Sequence, residues 1–176
     1  MGYTYTMLEH TFFERNADEV ARDLIGRTLV RVRGDREERF TICETEAYVG
    51  PEDLACHASK GRTKRTEVMY GPPGTMYVYL IYGMYWMFNI VVREEGFPGA
   101  VLIRGAGQYD GPGKLTRALD IVNIMNGETL GRGSGIWIEE GREIPDEDVL
   151  ITPRIGVDYA GEWKDKMLRF VLRDME

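Results

Sequence analysis

Apolar residues first settle into a helical period between Ala17 and Ile25, where Ala17, Val20, Ala21, Leu24 and Ile25 recur on one face. Asn16 with Glu19 three residues on is a capping-box pattern, and Gly26 supplies a stop. The spacing therefore predicts an amphipathic core helix. The period then drops to two. Thr28 to Arg33 and Arg39 to Tyr48 are β-type runs around Gly34-Asp35, which predicts an antiparallel hairpin. On the second strand, strict alternation puts Phe40, Ile42, Glu44, Glu46 and Tyr48 on one face. Two carboxylates on an otherwise apolar face need a reason, because burying an ionised group is costly unless it is paired.

Gly50-Pro51-Glu52-Asp53 reads as the start of a short helix, with acids near its positive end, that carries His57. A long polar loop follows as far as Gly71-Pro72-Pro73-Gly74, and long ordered loops in compact domains are often functional. The next two strands surround Gly83-Met84, and glycine at the first central position suits a two-residue type II′ turn. That turn pairs Tyr82 with Tyr85 and Val78 with Asn89, which sends Tyr79 and Asn89 to opposite faces. A bulge or a longer turn would bring them together.

Ala100 to Arg104 forms a further strand. Gly111-Pro112-Gly113-Lys114 opens a second helix, with Leu115, Ala118, Leu119, Val122 and Met125 as its buried stripe and Asn126-Gly127 as its end. Glycines and a lysine at a helix start either cap it or hold a phosphate. Ile136 to Glu139, Val149 to Thr152 and Leu168 to Arg173 read as later strands. No internal repeat or linker interrupts the chain, so the layout is an antiparallel sheet with two main helices.

Composition changes this picture little. With 176 residues, 43% hydrophobic and 29% charged, the chain is sized for one domain with a real core. No apolar run approaches the roughly 18 residues of a membrane span, and no secretion signal opens the sequence. Cys43 and Cys56, without CxxC spacing and with only His10 and His57 to help, form neither a disulfide framework nor a metal site. A cytoplasmic protein without a cofactor is the expectation. The net charge of −7 hides a segregation of signs: acids crowd between Glu139 and Asp148, while Lys60, Arg62, Lys64 and Arg65 share one loop. A local basic face, not the total, decides contact with a phosphate backbone.

Glu46 is the leading candidate for chemistry. It is either a strand carboxylate paired with Arg104 or a general base that activates water, kept ionised by that arginine. Glu44 reads as a structural partner. Tyr48, His57 and Tyr79 are either core aromatics or the walls of a slot for a flat ring. Tyr82 flanks a hairpin tip, where an exposed aromatic can wedge between stacked bases. The loop from Lys60 to Arg65 is either a solvated surface or a contact for phosphates.

The run Glu-Thr-Glu-Ala-Tyr-x-Gly-Pro-Glu-Asp at 44–53, His57, Pro-Gly-Thr-x-Tyr-Val-Tyr at 73–79, Ile-Tyr-Gly-Met-Tyr at 81–85, Asn89 and Val-Leu-Ile-Arg at 101–104 resemble the alkyladenine (3-methyladenine) DNA glycosylase family. Gly-Pro-Gly-Lys-Leu at 111–115 and Arg-Ile-Gly-Val-Asp-Tyr-Ala-Gly-Glu-Trp at 154–163 extend the resemblance over nearly the whole chain. It implies that Glu46 is the general base and that Arg104 and the Ile155 carbonyl hold the attacking water. Tyr48, His57 and Tyr79 then stack on a flipped base, Tyr82 intercalates, and Asn89 crowds out the 2-amino group of guanine. Thr63, Lys64, Arg65 and Lys114 are the expected backbone contacts.

Together these readings set the expectation of an α+β fold. It is one domain over 1–176 with a curved, open-barrel-like, mainly antiparallel sheet, flanking helices and a protruding β-hairpin. The expected activity is hydrolytic release of alkylated or deaminated purines from duplex DNA by a nucleoid-associated monomer, without strand cleavage. A non-catalytic nucleic-acid-binding module built on the same hairpin and loop is the alternative. Four positions depart from the family pattern. Thr66 replaces an asparagine, Phe88 a smaller or more flexible residue beside Asn89, Gly105 an alanine and Met167 a proline.

Overall fold

The computed structural model describes residues 6–173. A short helix α1 (His10–Phe13) precedes α2 (Ala17–Leu24), where the Glu19 carboxylate accepts from the Asn16 N–H at 3.1 Å as the capping pattern requires. Strands β1 (Thr28–Arg33) and β2 (Arg36–Tyr48) form a hairpin in which Arg33 faces Arg36 across Gly34-Asp35, so the second strand starts three residues before its expected position. Strands β3 (Met76–Ile81), β4 (Tyr85–Val92), β5 (Gly99–Ala106) and the two-residue β6 (Tyr109–Asp110) follow, then α3 (Pro112–Ala118), β7 (Ile136–Glu139), β8 (Val149–Thr152) and β9 (Arg169–Leu172). The sheet runs β3-β4-β5-β2-β1-β7, entirely antiparallel and open, with β6 on β5 and β9 joining β2 to β8.

One face of the sheet is covered by helices. Val20, Ala21 and Leu24 of α2 are fully buried in a cluster with Ile42, Ala47, Ile90, Val101 and Ile103. Burying each of the larger side chains stabilises the fold by about 1.5–3 kcal/mol relative to exposure. Thr45 Oγ1 donates to the Ala21 carbonyl at 2.8 Å, which ties β2 to α2.

Strict alternation along β2 fails at one place. Ile42 faces Ala106, Glu44 faces Gly105 and Thr45 faces Ile103, so Cys43 is an extra residue on β2 and Arg104 an extra residue on β5. This paired bulge reverses the parity of β2. Phe40 and Ile42 point into the helix-covered core, whereas Glu44, Glu46 and Tyr48 point to the other face. The two carboxylates do not share a face with the apolar residues that precede them.

The hairpin of β3 and β4 turns through three residues, Tyr82 to Met84, rather than the expected two. Tyr82 (φ 51°) and Gly83 (φ 67°) are both left-handed, and Met84 N–H closes on the Ile81 carbonyl at 3.1 Å. The longer turn sets Tyr77 opposite Asn89 and Tyr79 opposite Met87, so Tyr79 and Asn89 share a face after all.

Two helices also fall short of expectation. Around Gly50-Pro51 the chain makes a turn, and His57 begins a separate 3-10 turn, His57–Lys60. Helix α3 stops at Ala118 because Asp120 turns left-handed (φ 53°) and arginines from β1 take its last carbonyls. Arg33 donates to Ala118 O at 2.9 Å and Arg31 to Leu119 O at 2.8 Å, satisfying groups that a helix end leaves open. Val122, expected in the stripe, is only half-buried.

Candidate active site

The face opposite the helices carries the candidate residues in a row. Cross-strand pairing aligns Tyr77 with Asn89, Asn89 with Leu102, Leu102 with Glu46 and Glu46 with Arg169. Tyr48 lies two residues beyond Glu46 and pairs with Ala100, which lines the same cavity. The alternation of five strands therefore delivers aromatics and carboxylates to one surface.

Glu46 is 0% exposed. Its Oε1 accepts from the Ile155 N–H at 2.7 Å, its Oε2 accepts from the Tyr48 hydroxyl at 3.0 Å, and Arg104 Nη1 stands 3.6 Å from Oε1. Burial raises its pKa, opposed by Arg104, by the Ile155 N–H and by the Tyr48 hydroxyl. Arg104 is re-aimed by the bulge, and its Nε donates instead to Glu44 Oε1 at 2.8 Å. The same Glu44 oxygen accepts from Arg169 Nε at 2.6 Å. Glu44 thus anchors two arginines beside the candidate base, the structural role expected of it.

The aromatic residues enclose a slot of about 40 Å³, lined among others by Tyr48, His57, Tyr77, Tyr79, Asn89 and Tyr159. His57 and Tyr79 lie with centroids 4.6 Å apart, and Tyr77 is 5.0 Å from Tyr79. Tyr48 makes no ring contact with them among the described residues, so the slot opens between it and the other rings. His57 Nδ1 is 2.9 Å from the Tyr77 hydroxyl, and burial, then Arg65 and Lys60, lower its pKa to about 4. At neutral pH the imidazole is uncharged. Asn89, 2% exposed, donates to the Tyr77 carbonyl at 3.2 Å.

An outer cleft of about 280 Å³ shares Ala55, Cys56, His57 and Tyr159 with the slot and adds Lys60, Thr63 and Arg65. Arg65 reaches inward, 5.2 Å from the Tyr79 ring centroid. Lys64 is exposed on the same loop, whereas Lys114 is paired with Asp110 at 2.8 Å. Tyr82 stands 86% exposed at the hairpin tip, beside Met84 at 61%. A larger cavity of about 450 Å³, lined by Met7, His10, Phe13 and Trp137, holds none of the candidates.

A model of the methylpurine-DNA glycosylase family matches residues 11–109 and 106–176. The chain is also 44% identical over 174 residues to a protein of Legionella pneumophila (strain Corby) named "Putative 3-methyladenine DNA glycosylase", covering 95% of this chain and 94% of the relative. Proteins with the same name are similar in Methanocella arvoryzae, at 43% over 176 residues (89% of this chain, 87% of the relative), and in Myxococcus xanthus, at 43% over 178 residues (96% and 91%). This chain belongs to the methylpurine-DNA glycosylase family.

The departures from the family pattern now have places. Phe88, the neighbour of Asn89 in the chain, is 0% exposed in the helix-covered core on the opposite face and does not border the slot. Thr66 knits its loop: Oγ1 accepts from the Thr63 N–H at 2.8 Å and donates to the Gly61 carbonyl at 3.1 Å. Gly105 sits at the bulge, where a Cβ would meet Cys43 Sγ at 3.1 Å. Met167 is 54% exposed.

Sequence reasoning missed several residues at this site. Tyr77 shares the parity of Tyr79 and was open to the same period-two argument. Asp53 and Arg154 stand inside the family runs 44–53 and 154–163, yet neither they nor Arg169 carried a local sign of a site role, because their partners lie far away in the chain: Asp53 and Arg154 form a bidentate pair at 2.6 and 2.8 Å across 101 positions. Among the described residues no cluster of His, Cys, Asp or Glu has the geometry of a metal site, and no helix is long and apolar enough to cross a membrane.

Proposed function

We propose that this chain is a DNA glycosylase that draws an alkylated or deaminated purine out of duplex DNA and hydrolyses its N-glycosidic bond with water. The observation that carries the reading is Glu46: a fully buried carboxylate beside an aromatic slot, steadied by an N–H, a hydroxyl and a nearby arginine. A module that only binds nucleic acid has no use for this group, whose burial costs stability.

In the proposed reaction Tyr82 occupies the gap left by the extruded nucleotide while the base enters between Tyr48 and the His57–Tyr79 pair. At about 40 Å³ the slot must widen to admit a purine. The π faces favour a base made cationic by alkylation, and Asn89 crowds a purine bearing a 2-amino group. Glu46 takes a proton from water as the water oxygen bonds to C1′. The electrons of the C1′–N bond leave with the base, and negative charge at Glu46 favours the oxocarbenium-like transition state. Arg104 and Ile155 position the water. With water as nucleophile the product is an abasic site in an unbroken strand. His57, uncharged at neutral pH, serves as a hydrogen-bonding wall and not as the acid that protonates a neutral leaving base.

The test is base release from duplexes carrying single 3-methyladenine, 7-methylguanine or hypoxanthine residues, beside an undamaged duplex. Release of free base with strands intact until alkali treatment supports the reading. Binding to all of them without release from any would leave only the non-catalytic module. Tyr82→Ala should reduce excision most in well-paired contexts and least opposite a mismatch, where extrusion costs less. An equal loss in every context with a lowered melting temperature would place Tyr82 in the fold's support instead.

A further inference from the structure

The proposed chemistry leaves one buried ion pair without a part. Arg154 and Asp53 have side chains 0% exposed, in contact at 2.6 Å. Arg154 Nη1 also donates to the Ala47 carbonyl at 2.8 Å and Nη2 to the Trp163 carbonyl at 3.4 Å, while its Nε meets no partner among the described residues. Desolvating two charges commonly costs as much as their attraction returns, so stability alone is a weak account of such a pair. Its neighbours supply a stronger one.

Asp53 accepts from the Val49 N–H at 3.2 Å and the Ala55 N–H at 3.0 Å, which fixes the loop running from Tyr48 towards His57. The Arg154 guanidinium lies 4.8 Å from the Tyr48 ring centroid, and Arg154 is not among the residues lining the slot. It therefore braces that wall from outside. The residue after Arg154 is Ile155, whose N–H holds Glu46 Oε1 at 2.7 Å. One pair thus secures a wall, the loop leading to a second wall, and the donor on the base.

We infer that Arg154 and Asp53 are positioning residues, holding the Ile155 N–H against Glu46 and the guanidinium against Tyr48. This rests on the reading of Glu46 as the general base. The other charged or titratable groups around Glu46 are Glu44 and Tyr48 from β2, Arg104 from β5, Tyr79 from β3, Tyr159 and Arg169, which reaches Glu44 from β9, while Arg154 itself also adds positive charge within reach of Glu46. None of them replaces the Ile155 N–H on Oε1.

The test follows single-turnover release of 3-methyladenine from a duplex across pH. That base is already cationic, so the acid limb of the profile reports the general base. Arg154→Met, which keeps side-chain length, and Asp53→Asn, which keeps shape, should each lower the neutral-pH rate by at least about tenfold and raise the acid limb by about one pH unit, because a hydrogen bond to the ionised form is lost. Arg154→Lys, with one donor restored, should recover part of both changes. Affinity for an abasic duplex should stay near that of the parent.

Folded variants with the acid limb unmoved would overturn the inference, whatever their melting temperatures. If Arg154→Met shows no melting transition, Asp53→Asn and Arg154→Lys carry the same comparison. Glu46→Gln separates the two levels of argument. A Glu46→Gln chain that excises at the parental rate removes the general-base reading itself. An inactive one beside an unmoved limb in Arg154→Met removes only the positioning pair.

Discussion

Asp53 and Glu46 are both carboxylates with no solvent exposure, yet they are partnered differently. Asp53 accepts four hydrogen bonds, two from Arg154 and one each from the Val49 and Ala55 N–H groups. Glu46 accepts two, and the nearest guanidinium stops 3.6 Å away because its Nε is turned to Glu44. A saturated carboxylate has no lone pair to spare for a proton. An under-satisfied one, raised in pKa by burial but kept near a cation, does. The difference separates a buried acid that builds the site from one suited to react in it.

The largest expected effect breaks the two apart. Glu46→Gln should lower single-turnover excision by at least ~100-fold, the lower end of general-base contributions. It should not lower the melting temperature at neutral pH. Because burial raises the Glu46 pKa, the folded chain holds this proton more tightly than the unfolded chain. The stability tied to that proton is present at low pH and lost as pH rises through the folded value. The uncharged glutamine avoids this loss, so the melting temperature of Glu46→Gln relative to the parent should climb with pH. Asp53→Asn should instead destabilise by about 3–5 kcal/mol, because it leaves Arg154 buried without its charge partner. A melting temperature that drops equally in both variants would mean that the two acids are alike.

A smaller effect sharpens the contrast at Glu44. This residue holds Arg104 away from Glu46 and places a like charge nearby. In Glu44→Gln both influences weaken: Arg104 is freed to close on Glu46, and repulsion between the acids is gone. Both changes favour the ionised base, so the acid limb of the excision profile should move to lower pH. A shift to higher pH would show that the Glu44–Arg104–Arg169 group supports Glu46 instead of competing for its cation.

Much of this contrast lay beyond the sequence, for physical reasons. Helix α2, the Gly34-Asp35 turn and strands β7 and β8 were legible because local period and punctuation decide them. The face of Glu46 was not, since a bulge shifts parity without changing composition. Its one trace was Gly105, one residue past the expected strand and inside β5 in the fold, where a glycine marks a bulge or a close backbone approach. The hairpin tip misled because Gly83-Met84 suits a two-residue turn, while the chain sets Tyr82 itself left-handed, uncommon for a residue with a side chain. The family resemblance added Asn89 to Glu46, Tyr48, His57 and Tyr79, which the residues already offered, and the fold brings all five together. It could not show that Asp53 and Arg154, 101 positions apart, are the pair beneath them.

The same distinction between satisfied and unsatisfied charges orders the basic loop, where effects should be smallest. By residue type alone Lys60, Arg62, Lys64 and Arg65 count equally towards a phosphate backbone, while the family resemblance picks out Lys64 and Arg65. In the fold Arg62 is closed by Glu67 through two bonds of 2.6 and 2.8 Å and lies 4.7 Å from the Tyr70 ring centroid. Lys114 is likewise held by Asp110. Lys64 carries no such pairing among the described residues. Each phosphate contact releases counterions, so losing one lowers the slope of log affinity against log salt by about one unit. Lys64→Ala should produce that change with excision from saturated complexes unaltered. Arg62→Ala and Lys114→Ala should leave the slope nearly unchanged, because their positive charge is already matched within the protein. A full unit lost at Arg62 would mean that DNA displaces Glu67, and Glu67→Gln should then tighten binding at low salt; if it does not, the phosphates meet another part of the surface.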